Sequence, residues 1–228
     1  EGTEQSFEDE LADLLNAKPD FVEFSQETLD KLYSDVDERA EAYFLSRGIT
    51  RDSIDHFKLG YSKNQDMVIV PVHSPDGIPV GLVGRSIEDK RFKNSVNLPR
   101  NKTMFNLHRA KRQGGTIIVV ESSFDAIRMY EAGFPNAVAT LGGSLSNENL
   151  ENLNRYASKI IIATDADEAG RKLGLQIANK LHHKEVLWAS YKYGTVYPDG
   201  KKDVGDMTNE EIRQCILNAA PHYEYANW

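Results

Sequence analysis

The sequence predicts an α/β fold: a central parallel sheet flanked by helices, preceded by a smaller mixed α+β N-terminal subdomain. Three observations carry this expectation. Between Gly115 and Arg171, three short runs rich in β-branched residues (Thr116 to Val120, Ala137 to Thr140, Ile160 to Thr164) alternate with helix-length segments, the pattern of βαβ units. Each run is apolar throughout, as parallel strands buried on both faces are. Two of the runs give way to acids, Glu121 and Asp165, and the carboxyl ends of strands in an open α/β sheet are where ligands bind.

Taken in order, the chain divides into an acidic N-terminal segment (1–25), an α+β region (26–112) and the parallel-sheet region (113–220). Phe7, Leu11, Leu14 and Leu15 have helical spacing, and Pro19 stops that pattern. Leu29, Leu32, Tyr33, Val36, Ala40, Tyr43, Phe44 and Leu45 form one apolar stripe, which predicts a single helix from Gln26 to Gly48. Thr50 is placed to cap a short helix after it. Met67 to Val72 reads as a strand, Asp76-Gly77 as the centre of a hairpin turn, and Val80 to Arg85 as the return strand.

Within the parallel-sheet region, Ser122 can cap the helix after the first strand and Ser146 the helix running to Tyr156. Gly142 and Gly143 permit a tight turn after the second strand. Glu185 to Ser190 supplies a fourth strand, and Asn209 to Ala219 a final helix.

Composition narrows the possible functions. At 228 residues and 25.7 kDa, with 40% hydrophobic and 27% charged residues, the chain can bury a full core. No apolar run approaches the roughly 20 residues that cross a bilayer, and no secretory signal opens the chain, so a cytoplasmic protein without membrane contact is expected. The single Cys215 excludes an internal disulfide and a cysteine-based zinc site. The chain opens on Glu1 rather than Met, which fits a piece of a longer protein.

Charge is unevenly spread. The net charge is −8, yet residues 1–41 hold 14 acids against 3 bases. From Arg85 to Arg112 there are nine Lys or Arg against two acids. Such a segregated basic stretch, with Phe92 set between Arg91 and Lys93, is the pattern of a surface that holds a polyanion and stacks its bases. Solvated surface is the plainer alternative.

The acids point to metal-assisted phosphate chemistry. Glu121 and Asp125, with Asp165 and Asp167, put four carboxylates around one end of the predicted sheet. Residues i and i+2 of extended backbone point the same way, roughly 7 Å apart. Carboxylates so grouped repel one another unless a cation intervenes. Hard divalent ions take such oxygen ligands and bridge them to substrate phosphates.

These residues carry a resemblance. Glu121-Ser-Ser-Phe-Asp125, then Thr140-Leu-Gly142-Gly143, then Asp165-Ala-Asp167-Glu-Ala-Gly170-Arg171 resemble the Toprim domain of DnaG-type primases, topoisomerases and small nucleases. Ser122 departs from that pattern, which has Gly after the first acid. The front half adds to the likeness. Ala42-Tyr43-Phe-Leu-Ser-Arg47-Gly48-Ile49, Phe57-Lys-Leu59-Gly60-Tyr61, Val80-Gly81-Leu-Val-Gly84-Arg85, Arg91-Phe92-Lys93-Asn94-Ser95 and Met104-Phe105-Asn106-Leu107 follow the order of the DnaG-type primase RNA polymerase core.

The resemblance implies a nucleotidyltransferase making RNA primers on single-stranded DNA from NTPs. It implies Mg²⁺ or Mn²⁺ held by Glu121, Asp125, Asp165, Asp167, Asp203 and Asp206, with Glu121, Asp165 and Asp167 catalytic. Arg47, Arg85, Arg91, Phe92, Lys93, Asn94, Lys102 and Arg171 are then the expected contacts to template or nucleotide. A zinc-binding domain and a replicative helicase are expected as partners outside this chain, and no zinc within it. A Toprim-type nuclease and a non-catalytic nucleic-acid or nucleotide-binding module remain as alternatives.

Overall fold

The computed structural model describes residues 24–89, 91–96, 98–191 and 204–221. The predicted helix at the N-terminus and Asp203 lie outside the described residues. The front region holds α1 (Gln26–Ser34), α2 (Glu38–Ser46), α3 (Arg51–Phe57), β1 (Gly60–Ser62), β2 (Met67–His73), β3 (Pro79–Ser86) and β4 (Phe92–Asn94). After α4 (Leu107–Ala110) come β5 (Thr116–Val120), α5 (Ser123–Glu131), β6 (Ala137–Ala139), α6 (Asn147–Tyr156), β7 (Lys159–Ile162), α7 (Glu168–Lys180) and β8 (Glu185–Trp188). A short 3₁₀ turn (Val204–Asp206), α8 (Asn209–Leu217) and β9 (Ala220–Pro221) complete the described chain. No described helix is long and apolar enough to cross a membrane.

The single helix expected over Gln26 to Gly48 is two. Asp35 ends α1, its carboxylate held by Lys31 at 2.9 Å and Lys63 at 3.2 Å, and Asp37 starts α2 by accepting the Ala40 N–H at 3.0 Å. An N-cap that satisfies an otherwise orphaned donor favours a fresh helix start over continuation. Thr50 does sit at the N-cap of α3, but its hydroxyl donates instead to Glu131 Oε1 at 2.8 Å. The hairpin forms as expected, and Ser74 Oγ accepts the Asp76 and Ile78 N–H groups at its turn.

Two sheets result. The front sheet is antiparallel in the order β1-β2-β3-β4. The second has the order β6-β5-β7-β8-β9, parallel except for β9. Phe105 forms an antiparallel bridge to Ala139 beside β6. Alternation along β5 explains the core. Ile117 and Val119 pack with Ile160, Ile162, Leu153 and Leu173 on one face. Ile118 and Val120 face the other way, into a core shared with Phe44, Ile54, Phe57 and Val70 of the front region. The apolar interior therefore runs unbroken from the front region into the parallel sheet, which fixes how the two meet.

Candidate functional site

The acids gather where β5 and β7 end. Glu121 follows β5 directly and is half-buried. Its Oε1 accepts the backbone N–H of Asp165 at 2.9 Å, joining the two strand ends. Gly170, in the first turn of α7, makes that approach possible: a Cβ there would sit 2.6 Å from Glu121 Oε1 and closer still to the Asp165 carbonyl. Glycine is the side chain that a backbone contact this tight admits.

The other two acids of the cluster serve as caps. Ser122 is the N-cap of α5, and Asp125 completes a capping box, its Oδ2 accepting from Ser122 N–H at 3.1 Å and Ser122 Oγ at 2.6 Å. Serine thus starts the helix where the resembling pattern has glycine. Asp125 is 6% exposed. Asp167 is the N-cap of α7, its Oδ1 accepting the Gly170 N–H at 2.9 Å. Both carboxylates thereby also oppose the positive ends of helix dipoles.

Asp206 is exposed in the 3₁₀ turn. Among the described residues, no group of three or more His, Cys, Asp or Glu side chains converges closely enough to hold a metal ion. Carboxylate oxygens of this kind are the hard donors that divalent ions take.

Tyr191 lies at this rim, a residue that reading the sequence does not single out. Its hydroxyl donates to the Ala163 carbonyl at 2.8 Å, just beyond β7. Burial, reinforced by the negative charges of Asp165 and Asp125, holds the phenol well above its usual pKa.

The basic residues occupy the free edge of the front sheet. Phe92, Lys93 and Asn94 form β4 and all three are exposed, Phe92 by 54%. Arg85 lies opposite Phe92 in the sheet register. Its guanidinium is stacked between two rings, 4.9 Å from the Phe92 centroid and 5.0 Å from that of Phe124 in α5. Such cation–π contacts contribute roughly 0.5 to 1 kcal/mol each. Arg85 thereby connects the basic edge to the helix that begins just after Glu121.

Arg91 pairs with Asp89 at 2.6 Å, and Lys93 donates to Gln65 at 3.0 Å. Arg47 is half-buried at the end of α2, Lys102 is half-buried, and Arg171 is exposed on the first turn of α7. Phe124 and Arg128 were not singled out from the sequence.

Comparison with known proteins supports both halves of the resemblance. Residues 115–189 match the Toprim domain. A DNA primase of Clostridium acetobutylicum is 29% identical over an alignment covering 73% of this chain and 38% of that protein. The chain thus spans well under half the length of that relative. The Aquifex aeolicus primase structure comprising zinc-binding and RNA polymerase domains matches with a TM-score of 0.68 at 24% identity, covering 86% of this chain and 61% of that one. A DnaG primase catalytic domain bound to single-stranded DNA matches with a TM-score of 0.67 at 18% identity, covering 86% and 75%. The fold is that of primase catalytic cores.

Proposed function

From a Toprim domain joined through one continuous core to a primase-like front sheet, we propose that this chain is the RNA polymerase core of a DnaG-type primase. It makes short RNA primers from NTPs on a single-stranded DNA template by nucleotidyl transfer. The observation that carries this reading is Arg85, clasped between Phe92 of the basic edge and Phe124 of the helix starting beside Glu121. A nuclease built on the acid rim alone has no need of that coupling. Polymerisation requires the strand to be held in a fixed relation to the reacting phosphate.

Glu121, Asp165 and Asp167, with Asp203, Asp206 and Asp125, would hold Mg²⁺ or Mn²⁺. When bound, such ions neutralise phosphate charge and orient the triphosphate. The chain's own contribution is placement. The Asp165 N–H fixes the Glu121 carboxylate at the rim. Phe92 offers a face for base stacking, and Arg91, Lys93 and Asn94 flank it to receive the backbone. Arg47, Lys102 and Arg171 are further contacts for template or triphosphate.

A zinc-binding domain and a replicative helicase are the partners proposed outside this chain, and the cytoplasm its compartment. Nucleotide incorporation on single-stranded DNA with Mg²⁺ or Mn²⁺ tests the reading. Asp165→Ala should lower incorporation at least about a hundredfold while the circular dichroism spectrum stays that of the parent. Metal-dependent cutting of the template without synthesis, or undiminished synthesis by the variant, would overturn it.

A further inference from the structure

We propose that Arg100 and the turn from Leu141 to Ser144 form a phosphate-binding site beside the end of β5, separate from every contact named above. The inference rests on the polymerase reading only for which phosphate arrives there.

The turn follows β6 and is fastened at both ends. Thr140 N–H donates to the Val120 carbonyl at 3.1 Å, and Leu141 N–H to the Glu121 carbonyl at 3.3 Å. Thr140 Oγ1 donates to the Gly142 carbonyl at 2.7 Å. At the far end, the Gln176 side chain accepts the Leu145 N–H at 3.2 Å and donates to the Leu145 carbonyl at 2.8 Å. Between these ties, the N–H groups of Gly142, Gly143 and Ser144 have no hydrogen-bond partner among the described residues. Leu141 has φ +59°, a left-handed conformation rare for a bulky side chain. Turns that contain such a residue are where backbone N–H groups form anion-binding concavities.

A cation stands over this turn. A Cβ on Gly142 would lie 3.8 Å from Arg100 Nη1, so the guanidinium rests against the glycine. Its backbone is pinned there by α6: Asn149 Nδ2 donates to the Arg100 carbonyl at 2.8 Å, and Ser146 Oγ to the Asn101 carbonyl. Asn149 is itself fully buried. The Arg100 guanidinium has no carboxylate or hydrogen-bond acceptor among the described residues, whereas Arg91 and Lys93 are engaged by Asp89 and Gln65. A held but unengaged guanidinium next to unengaged N–H donors calls for an oxyanion, and phosphate fits the planar fork of arginine.

That phosphate has two possible carriers, the triphosphate of a nucleotide and the backbone of a nucleic-acid strand. The test measures them separately at one ionic strength: GTP by equilibrium dialysis, and a labelled oligothymidylate by fluorescence anisotropy. Arg100→Gln should weaken at least one of them about tenfold, the scale of a lost charge-assisted contact, with the thermal midpoint unchanged. A loss confined to GTP identifies the nucleotide as carrier, and a loss confined to the oligonucleotide identifies the strand. Gly142→Ala should weaken the same ligand without unfolding the chain, because the new methyl meets only Arg100 and at ordinary contact distance.

Arg155→Gln is the control. It removes an equal charge from the other end of α6, and both affinities should stay within about twofold of the parent, since a remote exposed charge is screened. Parental affinity for both ligands in Arg100→Gln, or an equal loss in Arg155→Gln, would overturn the proposal. A parent chain that binds neither ligand overturns it as well. Arg100-dependent binding in a chain that incorporates no nucleotide sinks the polymerase reading and leaves the site standing. Normal incorporation beside an Arg100 variant that binds both ligands as the parent does removes the site alone.

Discussion

The acid rim and the basic edge are built in opposite ways. At the rim, Glu121 receives the Asp165 N–H, Asp167 caps α7, Asp125 caps α5, and Gly170 leaves no spare space. At the edge, Phe92, Lys93 and Asn94 stand in solvent on a three-residue strand. The contrast suits the two tasks proposed for them. Groups that meet reacting atoms gain from being fixed before substrate arrives, whereas a strand of any sequence is better received by side chains that adjust.

The hardest blow to this contrast is Gly170→Ala. The new Cβ would strike the Asp165 carbonyl and Glu121 Oε1, and overpacking of this kind costs roughly 1 to 3 kcal/mol. A lower melting midpoint and loss of nucleotide incorporation are expected. An active variant of parental stability would show that the rim yields as readily as the edge.

Less severe at neutral pH, where it costs nothing, is the acid response of the region around His73 and His108. His73, at the end of β2, and His108, in α4, have ring centroids 4.6 Å apart. Burial and then the nearby Arg109 charge depress them to about 4 and about 3. Folded values below the unfolded value near 6.5 mean that the unfolded chain binds more protons, so their contribution is complete above about pH 6.5 and declines as pH falls toward 3. Allowing for solvent screening, the pair accounts for roughly 2 to 4 kcal/mol. Urea unfolding at pH 7 and pH 4.5 should show that loss, and the double variant His73→Phe, His108→Phe should lose less between those pH values than the parent does.

The smallest effect belongs to the edge. Lys93→Ala should leave stability within about 0.5 kcal/mol of the parent. Binding to single-stranded DNA should weaken, and the salt dependence of log K should become shallower by about one unit. An unchanged salt slope would remove Lys93 from the backbone-binding surface.

What the sequence revealed follows the same division. The parallel strands were legible because both faces are buried, leaving uninterrupted Ile and Val runs that no surface segment has reason to carry. Ser122 and Ser146 were legible as caps because each sits just before a helical repeat. The break at Asp35 to Asp37 was hidden, since α1 and α2 share one apolar periodicity across it. So was β4, where three exposed residues have no buried face to impose alternation. The acids were visible as a group, but the use of Asp125 and Asp167 as caps depends on backbone placement that spacing alone does not convey. Arg128 and Tyr191 act through carbonyls remote in sequence, which leave no local pattern.

The Phe105 to Ala139 bridge bears on how this protein can be dissected. Phe105 exchanges two backbone hydrogen bonds with Ala139, at 2.9 and 3.2 Å, and so occupies the outer margin of β6. Met104 and Leu107, on either side of it, fill the interior beneath the parallel sheet. A recombinant Toprim fragment started at residue 113 discards all three, leaving an open hydrogen-bonding margin beside an uncovered apolar floor, the combination that invites intermolecular strand addition. Starting the fragment a few residues ahead of Thr103 retains the native seal, and solubility of the two fragments measures what that seal is worth.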